Sequence, residues 1–241
     1  MQENKNLVSF GLILGLSIII SFGIASYTFY SLRSADYITT TGSAKKEVTS
    51  DTVKWTSTIS RIVKLSTVKD GYTKMDADLK EVKAYLATSG IPDSQIDISP
   101  VFMNEIYDGS NKTGTEKNYN LVQNIEVNST DVNKIADLAK NTAPIINKGI
   151  IFSTMSLEYY YSKLPEIRVA LLADAVADAK ARASKLAEAG DKAIGTLKSA
   201  SSGVVQVLSP GSAAISDYGS YDISKIQKEI MITVKASFNV K

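Results

Sequence analysis

The run from Pro165 to Gly190, PEIRVALLADAVADAKARASKLAEAG, constrains this chain most, because nothing inside it interrupts a helix and both ends carry helix signals. Pro165 suits a first helical position, and Gly190 suits the left-handed residue that closes one. Val169, Leu172, Val176, Ala179, Ala183 and Leu186 recur at steps of three and four, which predicts one buried face. A stripe thinned by alanine lets a helix axis come close to a sheet, so the rest of the fold is expected to pack on this helix. Asp174, Asp178, Arg182 and Lys185 mark the wetter side, with Asp178 and Arg182 spaced for a surface pair one turn apart.

The totals exclude several function classes. The chain has 241 residues with neither histidine nor cysteine, so the side chains most used for zinc, thiol nucleophiles and proton transfer near neutral pH are missing. Of 27 basic and 25 acidic residues, one each falls in residues 1–30, leaving 27−1 = 26 against 25−1 = 24. That balance argues against a nucleic-acid partner. No catalytic residue, cofactor or metal is expected, and the chain reads as a non-enzyme. A reaction run by paired carboxylates is the residual enzymatic reading, but nothing in the sequence selects a pair.

Residues 1–6 form a short tail, and Leu7 to Tyr30 runs 24 residues without a charge, long enough to cross a bilayer as a helix. Two readings stay open: a retained membrane anchor, which the length favours, and a signal peptide cut after Ala25 with Gly23 and Ala25 as its small residues. Lys5 on one side and Arg33, Lys45 and Lys46 on the other do not set an orientation. Residues 31–41 read as a polar linker, and residues 42–241 as one α+β domain.

Within that domain, Glu47 to Leu65 reads as one strand with Val53, Trp55, Ile59 and Val63 on a shared face that Arg61 interrupts. Ser66 to Thr88 reads as a helix on Val68, Tyr72, Met75, Leu79, Val82 and Leu86, stopped by Gly90 and Pro92. Ile96 to Ile106 and Tyr119 to Val127 read as a hairpin. The loop DGSNKTGTE between them has Thr113 where a calcium loop needs glycine and Tyr119 where it needs glutamate, so calcium is not expected. Asp131 to Lys148 reads as a helix bent near Pro144, then Ile150 to Tyr161 and Gly195 to Leu208 as strands. Ser209 to Ser224 is a Ser/Gly/Tyr loop without a phosphate-binding glycine fingerprint. Ile226 to Val240 reads as a strand in which Ile230, Ile232, Val234, Ala236, Phe238 and Val240 alternate with Glu229, Met231, Thr233, Lys235, Ser237 and Asn239, the mark of a strand buried on one face.

The order predicts an α+β fold: an antiparallel or mixed sheet with helices packed on one face, a split βαβ-like start, and one preceding transmembrane helix. The candidate oligomer or ligand contacts are Trp55, Arg61, Tyr159, Tyr160, Tyr161, Tyr218 and Tyr221. Arg61 breaks an apolar face, and tyrosines at a sheet end either stack on a ligand or pack in a core or subunit contact.

Several stretches resemble the SIMPL-domain family of bacterial envelope proteins, across nearly all of residues 38–241. Gly42, Ala44 and Ser50-Asp51 stand at its opening, Gly90-Ile91 and Asp97-Ile98 resemble its turn into the next strand, and Gly149 with Phe152 resembles a later entry. Ala173, Ala177, Ala181, Lys185-Leu186-Ala187, Gly190 and Ile194-Gly195 resemble its alanine-rich helix and exit. The resemblance implies an extracytoplasmic, periplasmic or cell-surface protein of the envelope. It further implies a ring- or cage-like homo-oligomer with a structural or scaffolding role, linked to stress by the family label only. The partners expected are further copies of the chain and the membrane, through the N-terminal helix. The alternative is a binding module for an envelope ligand that uses its tyrosine-rich surfaces.

Overall fold

The structure, a computed structural model, describes residues 2–33, 36–107, 116–212 and 216–241. Most of the DGSNKTGTE loop and part of the Ser/Gly/Tyr loop therefore lie outside the described residues. Helix α1 covers Gln2–Arg33, and its stretch Phe10–Tyr30 is long and apolar enough to cross a membrane. The elements that follow are β1 (Tyr37–Thr49), β2 (Thr52–Lys64), α2 (Val68–Thr88), β3 (Ile96–Ile98), β4 (Phe102–Ile106) and β5 (Asn118–Ser129). Then come α3 (Val132–Lys140), α4 (Ala143–Ile146), β6 (Ile151–Tyr160), α5 (Leu164–Glu188), β7 (Ile194–Ser202), β8 (Gln206–Leu208), β9 (Ser220–Tyr221) and β10 (Gln227–Val240). The fold is α+β, as expected, but with two five-stranded sheets.

One sheet has the order β3-β5-β2-β6, with β4 also on β5, and all its pairs are antiparallel. With α2 and α3 as the connecting helices, this is the split βαβ arrangement. The other sheet has the order β1-β10-β8-β9, with β7 also on β10 and a parallel β8/β9 pair. The chain divides into two compact units: residues 1–44, 171–203 and 232–241, and residues 45–170 and 204–231. β1, α5 and β10 contribute residues to both.

The larger unit holds the main core, in which Val53, Trp55, Ile59 and Val63 of β2 are all buried, as their alternation predicts. They meet Met75, Val82 and Leu86 of α2 and Leu121, Ile125 and Val127 of β5. Gly71 of α2 is needed there, since a Cβ would come within 2.5 Å of Val63 Cγ1 and 3.0 Å of Leu121 Cδ1. This core does not rest on α5, so the expectation that everything packs on the long helix is corrected.

In the smaller unit α5 lies against β1. The buried row is Leu171, Ala175, Ala179, Ala183 and Ala187, strictly four apart, whereas Val169 and Leu186 of the expected face are 70% and 57% exposed. Gly42 is what lets β1 approach: a Cβ there would come within 2.1 Å of Ala175 O and 2.3 Å of Ala179 N. Thr40 Oγ1 donates to Ala179 O at 2.7 Å, and Ser43 N–H donates to Asp178 Oδ2 at 2.8 Å. Asp178 also takes Arg182 Nε at 2.9 Å, so the expected surface pair is present.

Four expected elements are broken in two. The first strand splits at Ser50-Asp51, where Ser50 N–H donates to Ile226 O and Asp51 N–H to Tyr160 O, so the backbone leaves the ladder. Ser99-Pro100 separates β3 from β4, because proline cannot donate to a ladder. Pro144 begins α4 instead of bending one long helix. Gly203 separates β7 from β8. Part of the expected linker is strand as well, since β1 begins at Tyr37.

Candidate functional site

The seven candidate residues fall into four groups. Trp55 is 1% exposed, its ring edge-on to Phe152 at 5.9 Å and its Nε1 donating to Thr154 Oγ1 at 3.2 Å. It is a core residue. Tyr159 also points inward from β6, and burial followed by the field of Asp137 pushes its phenol up.

Arg61 meets a buried carboxylate on the facing helix. Its Nε and Nη2 donate to Asp78 Oδ2 and Oδ1 at 2.5 and 2.7 Å, a bidentate pair. That hydrogen bonding raises the guanidinium's affinity for its proton, against an opposing contribution from burial. The interruption of the apolar face is thus answered within the same unit, and the strand end does not need solvent or a neighbour to accept the charge. Arg61 also lines a cavity of about 360 Å³ with Thr67, Asp70 and Lys74.

Tyr160, Tyr161 and Tyr221 do come together. The rings of Tyr160 and Tyr221 lie 5.9 Å apart and tilted by 40°, and Tyr161 N–H donates to Tyr221 Oη at 2.9 Å. Tyr160 Oη donates to Glu158 Oε2 at 2.6 Å, and this bond, with burial, pushes the phenol up to about 12. Tyr218 stands apart, 97% exposed.

The sequence reading missed the groups that frame this cluster. Lys228 of β10 is fully buried, its ammonium donating to the carbonyls of Asp222 and Lys225 and lying 5.6 Å over the Tyr221 ring. Burial lowers its pKa, with Asp222 opposing. Asp222 accepts from the Ser224 hydroxyl and N–H at 2.7 Å each, and these bonds hold its carboxyl low. Asp51 accepts from Ser162 N–H and Oγ at 2.8 Å each; burial alone would push it up, but these bonds and that of Thr52 bring it down. The signals were available: Lys228 is in phase with Ile226 and Ile230, and Asp78 is in phase with Met75, Val82 and Leu86. A charge in phase with a buried stripe needs a partner.

Two exposed strand surfaces are apolar. Among the described residues β4 pairs with β5 alone, and it is exposed along its whole length, showing Phe102, Met103 and Ile106, with Tyr107 following. β6 shows Ile151 and Met155. Among the described residues no group of three or more Asp or Glu side chains is placed to hold a metal ion. The arrangement offers contact surfaces, and among the described residues Asp51, Asp78 and Asp222 are each held by a hydrogen-bond partner.

No curated protein matches the chain. The SIMPL family model, whose description is a protein of unknown function (DUF541), matches residues 38–239, from the second residue of β1 to the last but one of β10. With both sheets and all four helices after α1 inside the matched span, the chain belongs to the SIMPL family.

Proposed function

We propose that this chain is a membrane-tethered, extracytoplasmic SIMPL protein that self-assembles into a homo-oligomer with a structural, scaffolding role in the cell envelope. The observation that carries the reading is β4, which among the described residues pairs with β5 alone and exposes Phe102, Met103 and Ile106. Such an edge is a template for pairing with another chain unless something covers it. The tether is α1, and the ring- or cage-like form and extracytoplasmic side follow from the family resemblance. The reading is non-catalytic, in keeping with Asp51, Asp78 and Asp222 each being engaged by a partner that fixes a strand end, a helix or a loop.

The test is the native mass of the full-length chain in mild detergent. One large, discrete mass that falls to the monomer on Phe102→Asp/Ile106→Asp supports the reading, and a wild-type monomer defeats it. The convergence of Tyr160, Tyr161 and Tyr221 favours a second reading, an envelope ligand-binding module. Ligand-induced shifts of those tyrosine resonances in a monomer would select it.

A further inference from the structure

The outer face of the smaller unit's sheet carries a concavity of about 410 Å³ that no part of the scaffold reading uses. Lys198 and Lys235 line it with four Ser and Thr residues, among them Ser199, Ser201 and Ser237, and with Tyr37; no Asp or Glu does. The β7/β10 register builds it. Ser201 lies opposite Lys235 and Ser199 opposite Ser237, after which the register shifts, so that Leu197 meets Phe238 and Lys198 is the extra residue of a bulge. Bulges re-aim side chains. Here the bulge carries the Lys198 ammonium to 4.2 Å from the centre of the Tyr37 ring on β1.

Neither lysine has an ion-pair partner among the described residues. The neighbouring acid, Asp36, is taken by Lys192 at 3.2 Å. Two ammonium groups without an ion-pair partner there, beside Ser199 and Ser201 and a Thr39–Ser237 hydroxyl pair 2.8 Å apart, suit a phosphate group, which offers several acceptor oxygens and negative charge. A sugar or base fits less well, because the ring face it would stack on lies under Lys198.

Position narrows the source. α1 ends at Arg33 and β1 begins at Tyr37, so four residue steps of at most ~3.6 Å put the start of β1 within about 14 Å of the helix end. The polar layer of a bilayer begins at that end of a spanning helix. We propose that this cleft binds a phosphate-bearing anion, and that with α1 in a bilayer the anion is the headgroup phosphate of an anionic lipid. The lipid half rests on the anchor reading; the phosphate half does not.

The experiment uses full-length protein in uncharged detergent micelles, read by native mass spectrometry with added phosphatidylglycerol or phosphatidylcholine, and by titration with inorganic phosphate. Lys198→Gln/Lys235→Gln is compared with Lys69→Gln/Lys163→Gln, which removes the same charge from exposed positions elsewhere. A lysine near a membrane surface contributes about a fivefold factor, so the cleft variant is expected to bind phosphatidylglycerol about 30-fold more weakly, with the control unchanged. Phosphatidylcholine is not retained, and phosphate competes. Equal loss in both variants, or retention of the two lipids alike, overturns the proposal. Lysine-dependent binding of phosphate without phosphatidylglycerol upholds the phosphate site and overturns the lipid source. An intact mass lacking residues 1–25 in protein recovered from cells refutes the anchor, while the phosphate titration still tests the cleft.

Discussion

The two units close their interiors in opposite ways. In the larger one Trp55, Met75, Leu86 and Ile125 fill the space between sheet and helices, and stability comes from apolar area taken out of water. In the smaller one Ile232, Val234 and Phe238 are buried too, but where β1 meets α5 Gly42 and the alanines leave almost no space to fill, and the two elements meet backbone to backbone. A core of large side chains tolerates a reshaped neighbour better than it tolerates a void. A glycine-alanine contact tolerates neither an added methyl nor a shift in register.

Opposite size changes should therefore break the two regions. Trp55→Ala is expected to cost about 4 kcal/mol, read from the denaturant midpoint of the full-length protein. Gly42→Ala, a single added methyl, is expected to cost about 3 kcal/mol, because the colliding atoms are backbone and cannot turn away. A loss below about 1 kcal/mol at Gly42 would mean that α5 simply moves outward.

Charge provides a finer comparison within the larger unit. Asp78→Ala strands Arg61 on a buried face and is expected to cost about 2.5 kcal/mol, somewhat less than a fully buried pair because Arg61 keeps some solvent. The double change Arg61→Met/Asp78→Leu should recover most of this, measured by the same midpoint. Asp51→Asn weakens the bonds from Ser162 at the joint between β1 and β2 and is expected to cost about 1.5 kcal/mol at neutral pH. The folded-state pKa of Asp51 lies below the unfolded 3.8, so this contribution is complete above that value and disappears as the pH falls through the folded pKa. Wild type and variant should therefore converge in acid, visible in paired denaturation curves from pH 6 down to about 2. The smallest effect is expected at Val169→Ser, under about 0.5 kcal/mol in a monomer, since that side chain is already 70% exposed. A loss of native mass without a loss of stability would mark it as part of a subunit contact.

The same contrast explains what could be read in the sequence. Alternation along Val53 to Val63 and along Ile230 to Phe238 is a period-two signal carried by large residues, and both strands lie where it puts them. Ala179 and Ala183 of the expected α5 face are buried, but Val169 and Leu186 are not, because apolarity favours large residues while close approach to Gly42 selects for smallness. The strand breaks at Ser50-Asp51 and Gly203 were hidden for another reason: each depends on hydrogen bonds to residues far along the chain, such as Ser50 to Ile226 and Gly203 to Thr233. Among the candidate contacts, the tyrosine cluster could be anticipated in part, because Tyr160 and Tyr161 are adjacent. Tyr221 joins them only through the fold.

The antiparallel run of β1 beside β10 also has a mechanical meaning. Asp36 O accepts from Val240 N–H at one end, and the Thr49 hydroxyl donates to Gln227 at the other. Tension entering from the N-terminal helix along the axis of β1 would load this ladder in shear, with its bonds resisting together, whereas a pull across the sheet would unzip them in turn. Strands loaded lengthwise yield at higher force than strands peeled from one end. A pull delivered through α1 would thus meet the ladder in its stronger direction.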